Sequence, residues 1–255
     1  MMINGTAIYV LWLREMKRYS RAKSRIFGSL LQPLFFMIFL GLGFKKMPVP
    51  GLGAGVDYIQ FLVPGILGMT LLFSSAMQGL SVLWDREFGF LKEIMVTPVS
   101  RTSIVLGRIA GGTTTTMIQG LLMLAMTLLL GFRIKSALLF LWALIFMGLI
   151  AFTFIGIGLI FASRMKDSQG FGIIVNFLLF PLFFLSGALY PLDNLPRWIR
   201  VVAFADPLTY GVDGLRGTLI GVSSRPVLVD FIVIAAFAGL MVALGTVFFR
   251  SSESI

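Results

Sequence analysis

The 255 residues include no cysteine and no histidine. That absence excludes disulfide staples, thiol or imidazole catalysis, and zinc or haem sites built from those ligands. Charged residues are also scarce, at 13%, roughly half the share of a soluble domain. In their place stand 58% hydrophobic residues and a mean hydropathy of +0.96. Apolar runs of about 18 residues or more recur, long enough to cross roughly 30 Å of hydrocarbon. Lipid leaves the backbone to satisfy its own hydrogen bonds, and long unbroken runs, unlike alternating ten-residue ones, do so as helices. The expected fold class is an all-α membrane protein.

Six spans are expected, at about 27–46, 58–84, 104–131, 137–163, 169–190 and 227–249. No soluble domain interrupts them, so residues 1–255 read as a single transmembrane domain. Its parts are an interfacial segment at 1–25, spans one to five over 27–190, an outer loop at 191–226 and the sixth span at 227–249. The net charge of +10 suits anionic lipid heads rather than nucleic acid. The N-terminus lacks a signal peptide's short apolar core and cleavage site, so it is expected to stay in the mature protein.

Basic residues are retained on the cytoplasmic side of a membrane. Thirteen of the 21 fall on one face: Arg14, Lys17, Arg18, Arg21, Lys23, Arg25, Arg86, Lys92, Arg101, Arg108, Arg164, Lys166 and Arg250. Half of the other eight lie in one long loop, where the rule is weak. Both termini are therefore expected in the cytoplasm, in the cell (inner or plasma) membrane.

Residues 7–23, AIYVLWLREMKRYSRAK, carry charge too often to span. At 100° per residue, Arg14, Lys17, Arg18 and Arg21 share one arc, and Ile8, Trp12, Met16 and Tyr19 another. This suits a helix in the interface, its basic stripe on lipid phosphates and Trp12 with Tyr19 at headgroup depth. A basic flank with no defined helix is the alternative. In the third span, Thr113–Thr116 are expected to back-bond or to bridge helices.

Between the second and third spans lies 84-WDREFGFLKEIMVTPVSR-101. As a helix over 84–96, it places Trp84, Phe88, Phe90, Leu91, Ile94 and Met95 on an apolar arc, with Asp85, Arg86, Lys92 and Glu93 opposite and Pro98 ending it. Glu87 projects from the apolar arc and needs a partner: Arg86, Arg101 or a group on another protein. In the outer loop, Pro181 is expected to interrupt the fifth span. Residues 195–205 read as a short amphipathic helix with Trp198 at the interface and Arg197 and Arg200 toward solvent. Asp206 reads as an N-cap with Pro207 at the first position of a second helix ending at Leu219. Asp213 and Arg216, three apart, can form a local ion pair.

The run D-R-E-x-G-x-L-K-E-I-x-x-T-P-V-S-R, from Asp85 to Arg101, resembles the membrane subunits of type-2 ABC exporters. That group includes the daunorubicin-resistance permeases and the O-antigen and teichoic-acid polysaccharide permeases. The resemblance recurs in 181-PLFFLSGALYPLDNLPRWIRVVAFADPLTYGVDGLRG-217, so that two motifs and six spans cover nearly the whole chain.

The resemblance implies that the stretch after the second span forms a cytoplasmic coupling helix in a groove of a separate ATP-binding subunit. Its carriers here are Arg86, Glu87, Gly89, Leu91, Lys92, Glu93 and Pro98; those of the interfacial helix are Trp12, Arg14, Lys17, Arg18 and Arg21. It also implies short re-entrant outer helices before the last span, carried by Pro191, Pro196, Trp198, Asp206, Pro207, Tyr210, Asp213 and Arg216. Two ATP-binding subunits and a second permease copy, giving a homodimer, are the implied partners beside membrane lipids. ATP and Mg would sit on the partner, with no cofactor or metal on this chain. Consistent with that, no G-x-x-x-x-G-K-[ST] loop occurs in the 255 residues to cradle phosphates.

The spans hold no deeply placed acid or base; Gln32, Gln78, Gln119 and Asn176 are their strongest polar groups. This argues against a proton- or sodium-coupled carrier and against an ion channel. The expected function is ATP-driven export of a hydrophobic or amphiphilic compound: a drug, a lipid or a lipid-linked glycan. The other readings are a non-transporting assembly or sensor subunit and a membrane enzyme using Asp193, Asp206 and Asp213.

Overall fold

The computed structural model describes residues 4–44, 57–89, 99–165 and 167–251. Among these residues the regular structure is entirely helical, and six stretches are long and apolar enough to cross a membrane. In chain order the helices are α1 (Gly5–Arg21), α2 (Lys23–Gly43), α3 (Tyr58–Ala76), α4 (Gln78–Glu87), α5 (Arg101–Leu129) and α6 (Ala137–Arg164). They continue with α7 (Ser168–Leu185), α8 (Arg197–Ala205), α9 (Pro207–Leu219) and α10 (Val227–Ser251).

The core is built around α3, buried from Phe61 to Leu72, and packs it against α5, α6 and α9. Phe61, Leu62, Ile66, Phe146 and Phe154 are fully buried there. By contrast α2, α7 and α10 are mostly uncovered and present Phe27, Phe39, Ile173, Phe177, Leu228 and Ile232 outward, as lipid-facing helices do. Where α4 crosses α6 the backbones nearly touch: a Cβ on Gly79 would meet the Gly158 carbonyl oxygen at 2.3 Å, and one on Gly158 the Ala76 oxygen at 2.3 Å. Small residues allow such close approach between membrane helices.

Together α3 and α4 form a 30-residue stretch, about 45 Å long at 1.5 Å per residue. That exceeds the hydrocarbon thickness of roughly 30 Å, and Asp85, Arg86 and Glu87 stand at one end of the stretch. The opposite end is tied by Tyr58 donating to the Leu189 carbonyl (3.2 Å) and by the Lys135 amide donating to Leu219 (2.9 Å).

Several expectations are corrected. The helix read over 84–96 ends at Glu87, because Gly89 turns to φ +75°, the left-handed conformation that terminates helices. Leu91, Lys92, Glu93 and Pro98 lie outside the described residues. Pro181 does not interrupt its helix, which runs on to Leu185. In lipid no water competes for the backbone, so losing one hydrogen bond is less unfavourable than ending a helix in hydrocarbon.

Helix α1 exists, capped by the Asn4 side chain, which accepts from the Ala7 amide at 3.2 Å. Its basic stripe is split, however. Lys17 and Arg21 are exposed, whereas Arg14 and Arg18 turn toward Asp85. Trp12 is not a free headgroup anchor, because its indole donates to Thr114 Oγ1 at 3.1 Å. A buried acid within reach outcompetes lipid phosphate for the arginines, and a hydroxyl does the same for the indole.

Candidate functional site

Two clusters of polar side chains occupy opposite ends of the bundle. At the α4 end, Asp85 is only 5% exposed and is ringed by arginines from two other helices. Arg14 of α1 approaches it at 2.7 Å, Arg108 of α5 at 2.8 Å and Arg18 of α1 at 3.9 Å. Glu15 adds a second carboxylate, 3.9 Å from Arg18. Asp85, expected on the outward charged face of the patch, is instead the centre of a buried knot joining α1, α4 and α5. Burying so many charges is tolerable only because each sits near one of opposite sign.

The next two residues reach a different pair of helices. Arg86 donates to the carbonyls of Ala162 (2.9 Å) and Met165 (3.2 Å), at the C-terminus of α6. Glu87 accepts from the Ser168 amide at 3.1 Å, at the N-terminus of α7, where Asp167 caps the Gln169 and Gly170 amides. Cation on a helix C-terminus and carboxylate on an N-terminus both complement the helix dipoles. The partner that Glu87 requires is thus a backbone amide of this chain. Three consecutive residues, Asp85 to Glu87, bond α4 to α1, α5, α6 and α7.

Hydroxyls and amides stitch the same half of the bundle. Thr115 accepts from Gln78 at 3.0 Å, Ser74 bonds Gln119, and Gln119 donates to Ser29 at 2.6 Å. The threonine run therefore bridges helices as expected. Burial among these groups pushes the Tyr19 phenol up.

At the opposite end α9 is buried along its length. Asp206 caps it as expected, accepting from Leu208 at 2.9 Å with Pro207 at the first position. Burial pushes the Asp206 carboxyl up to about 8, against the opposing pull of the Leu208 amide. Tyr210 donates to the Phe204 carbonyl at 2.9 Å and Thr209 to Ala203 at 2.6 Å, so the tight α8–α9 corner leaves few loose backbone ends.

Asp213 and Arg216 do approach, at 4.0 Å, but they are buried and their closer contacts lie elsewhere. Asp213 accepts from the Ser224 and Arg225 amides at 2.9–3.1 Å. Arg216 donates to the Gly187 carbonyl at 3.0 Å and lies 3.9 Å over the Phe61 ring. Burial lowers the Arg216 guanidinium to about 10, opposed by Asp213. Pro196 caps α8, Trp198 is 71% exposed and Pro191 is half-buried. Arg200 is drawn from solvent onto the Asp193 and Leu195 carbonyls.

Sequence reading missed the buried charges of the spans themselves, Arg108 near the start of α5 and Asp230 near the start of α10. Arg225 meets Asp230 at 3.4 Å. Arg108 and Asp230 sit within about two turns of the start of their helices, and that closeness to an end did not keep them exposed.

The comparisons with known proteins bear on the whole arrangement. A transport permease named ycf38, of Cyanophora paradoxa, is 29% identical over 210 residues, covering 82% of this chain and 72% of its own. The inner membrane transport permease YadH of Escherichia coli K12 is 26% identical over 237 residues, covering 91% and 90%. Nodulation protein J of Rhizobium leguminosarum bv. viciae is 25% identical over 214 residues, covering 83% and 81%. Residues 6–220, from α1 to the residue after α9, match the family described as ABC-2 type transporter, and the chain belongs to that family.

Proposed function

We propose that the chain is the transmembrane half of an exporter driven by ATP hydrolysis on a separate subunit, two copies of which act on two permease copies. Its cargo is hydrophobic or amphiphilic, and both termini face the cytoplasm of a cell whose inner or plasma membrane it crosses. Membership of the permease family supports a multi-pass transport subunit. The absence of a phosphate-binding loop in the sequence supports placing the motor elsewhere.

The observation that carries this reading is the Asp85–Arg86–Glu87 joint. A push on the segment that follows Gly89 reaches α1 and α5 through Asp85, and the α6–α7 turn through Arg86 and Glu87. Charge-assisted bonds of this kind make a stiff connection, and packed helices answer such a displacement by switching arrangement rather than by deforming smoothly. Leu91, Lys92, Glu93 and Pro98 are assigned to the motor-facing surface, with α8 and α9 as the outer closure of the route.

The test is reconstitution with and without the candidate motor subunit. ATP hydrolysis is expected only with the motor present, and its stimulation by the permease is expected to fall in Glu87→Ala and Arg86→Ala. Hydrolysis by this chain alone refutes the division of labour, and full stimulation by both variants refutes the role of the joint.

A further inference from the structure

One side of α3 is shaped to receive the closure formed by α8 and α9. Tyr58, Phe61, Gly65 and Gly68 recur at spacings of three and four, which place them on the same side of a helix. Tyr58 donates to the Leu189 carbonyl at 3.2 Å. A Cβ on Gly65 would run into the Ala188 carbonyl, and one on Gly68 would meet Val212 of α9 at 2.7 Å. Small residues let membrane helices approach this closely. The turn after α7 and the helix α9 are thus both seated on α3, whose 30-residue stretch with α4 carries the Asp85–Glu87 joint at its other end.

A single side chain joins the three pieces. Arg216 of α9 is 5% exposed. It donates to the Gly187 carbonyl at 3.0 Å, and its guanidinium lies 3.9 Å over the Phe61 ring of α3. A planar guanidinium does both at once, its face covering the ring while its edge donates. A lysine ammonium keeps the charge and offers no such plane. The ion pair does not by itself account for an arginine here. Asp213 stands 4.0 Å away and its carboxylate already accepts from the Ser224 and Arg225 amides. Beside the contact lies a polar cavity of about 100 Å³, bordered by Phe61, Ser186, Gly187, Arg216 and Ser223. It gives a small reagent a way to the turn when the contact loosens.

We propose that Arg216 is a positioning residue that clamps the turn at 186–188 and α9 onto the Phe61 end of α3, so that these parts move with the α3–α4 stretch as one body. That the closure controls passage of cargo rests on the transport reading; the clamp itself does not.

The experiment exploits the absence of cysteine from the chain, which makes one introduced thiol unique. Ser186→Cys reports on the turn, where the native side chain is 2% exposed. Thr218→Cys, at a position 1% exposed whose hydroxyl bonds within α9, reports on general loosening of that helix. The full chain in nanodiscs, without any motor subunit, is treated with a small membrane-impermeant methanethiosulfonate. Arg216→Met and Arg216→Lys are expected to speed modification of Ser186→Cys about tenfold, the effect of losing one charge-assisted hydrogen bond from a local opening equilibrium. Modification of Thr218→Cys should change by less than about twofold, because α6 and α10 still hold α9. Phe61→Leu removes the ring while keeping every charge and hydrogen bond of Arg216, and is expected to speed Ser186→Cys about threefold. It keeps the test valid should the Arg216 variants fold poorly.

Equal acceleration at both reporters overturns the clamp and leaves Arg216 as a general stabiliser of α9. An unchanged Ser186→Cys rate in Phe61→Leu or in the Arg216 variants also overturns it. The movement as one body is read with the motor present: trapping the motor with ATP and vanadate is expected to shift the Ser186→Cys rate at least about threefold. Arg216→Lys is expected to lose that shift while stimulation of hydrolysis, which enters at Glu87, persists. No shift in the wild-type background, or one that survives Arg216→Lys, overturns the shared movement. Failure of the transport reading appears separately, as hydrolysis that the wild-type chain does not stimulate.

Discussion

Asp85 of α4 and Arg108 of α5 meet at 2.8 Å with side chains only 7% and 10% exposed. Neither residue has water to return to, and each depends on the other more than a surface pair would. The dependence is unequal, because Asp85 keeps Arg14 at 2.7 Å when Arg108 is removed. Asp85→Ala leaves a buried guanidinium beside two further arginines and is expected to destabilise by about 3–5 kcal/mol. Arg108→Met is expected to lose clearly less, and the double variant to recover part of the Asp85→Ala loss. Equilibrium unfolding in mixed detergent micelles checks the order; Arg108→Met proving the more damaging single change would contradict the knot as described.

Arg86 and Glu87 separate stability from communication. Arg86 spans two carbonyls at 2.9 and 3.2 Å, a geometry that the single ammonium of Arg86→Lys cannot reproduce. Glu87→Gln keeps an acceptor for the Ser168 amide, while Glu87→Ala removes it and is expected to lose about 0.5–1 kcal/mol. With so small a change the fold persists, and any larger loss of motor-stimulated hydrolysis reads out transmission. The expected order of stimulation is wild type, then Glu87→Gln, then Glu87→Ala.

These residues also show where sequence reading succeeds and where it stops. Asp206 before Pro207 was legible because capping is local: the acid, the proline and the amide it binds lie within three residues. The six spans were legible because length and apolarity alone decide them. The fate of Arg14, Arg18 and Trp12 was not, because periodicity places a side chain on a face without saying what that face meets. Lipid phosphate and Asp85 make the same demand on an arginine, and only the packing of α1 against α5 chooses between them. One signal was available: acids at the end of the second span, with Arg108 less than three turns into the third.

Gly89 marks the end of α4 by its backbone conformation, with φ at +75°, and a Cβ there would meet no described residue within 4 Å. Gly89→Ala is therefore expected to destabilise by about 1–2 kcal/mol, the penalty of the left-handed region for an L residue. Gly89→Asn, whose side chain tolerates that region, should lose less. Equal effects of the two, measured by thermal melting, would point to sterics with residues beyond 89 rather than to the turn.

Asp206 gives the fold a pH dependence of predictable sign. Its carboxyl is pushed up to about 8 by burial, from an ordinary value of 3.8. Below about pH 4 folded and unfolded chains both hold the proton, and this group contributes no difference. As pH rises, the unfolded chain releases the proton while the folded one retains it, so stability falls. The decline ends near pH 8, where the folded carboxyl ionises too. Its Oδ2 is buried without a described partner, so the charge, once formed, has only the Leu208 amide to lean on. Asp206→Asn keeps an oxygen for that amide and carries no charge, and is expected to flatten the decline between pH 5 and 8 while matching wild type at the acid end. Asp206→Ala also removes the slope but loses the cap, about 1 kcal/mol, at every pH. Melting temperatures kept below pH 9, short of the Arg216 transition near 10, distinguish the three; a wild-type stability that rises from pH 5 to 8 and keeps that rise in Asp206→Asn would show the carboxylate to be ionised in the folded chain.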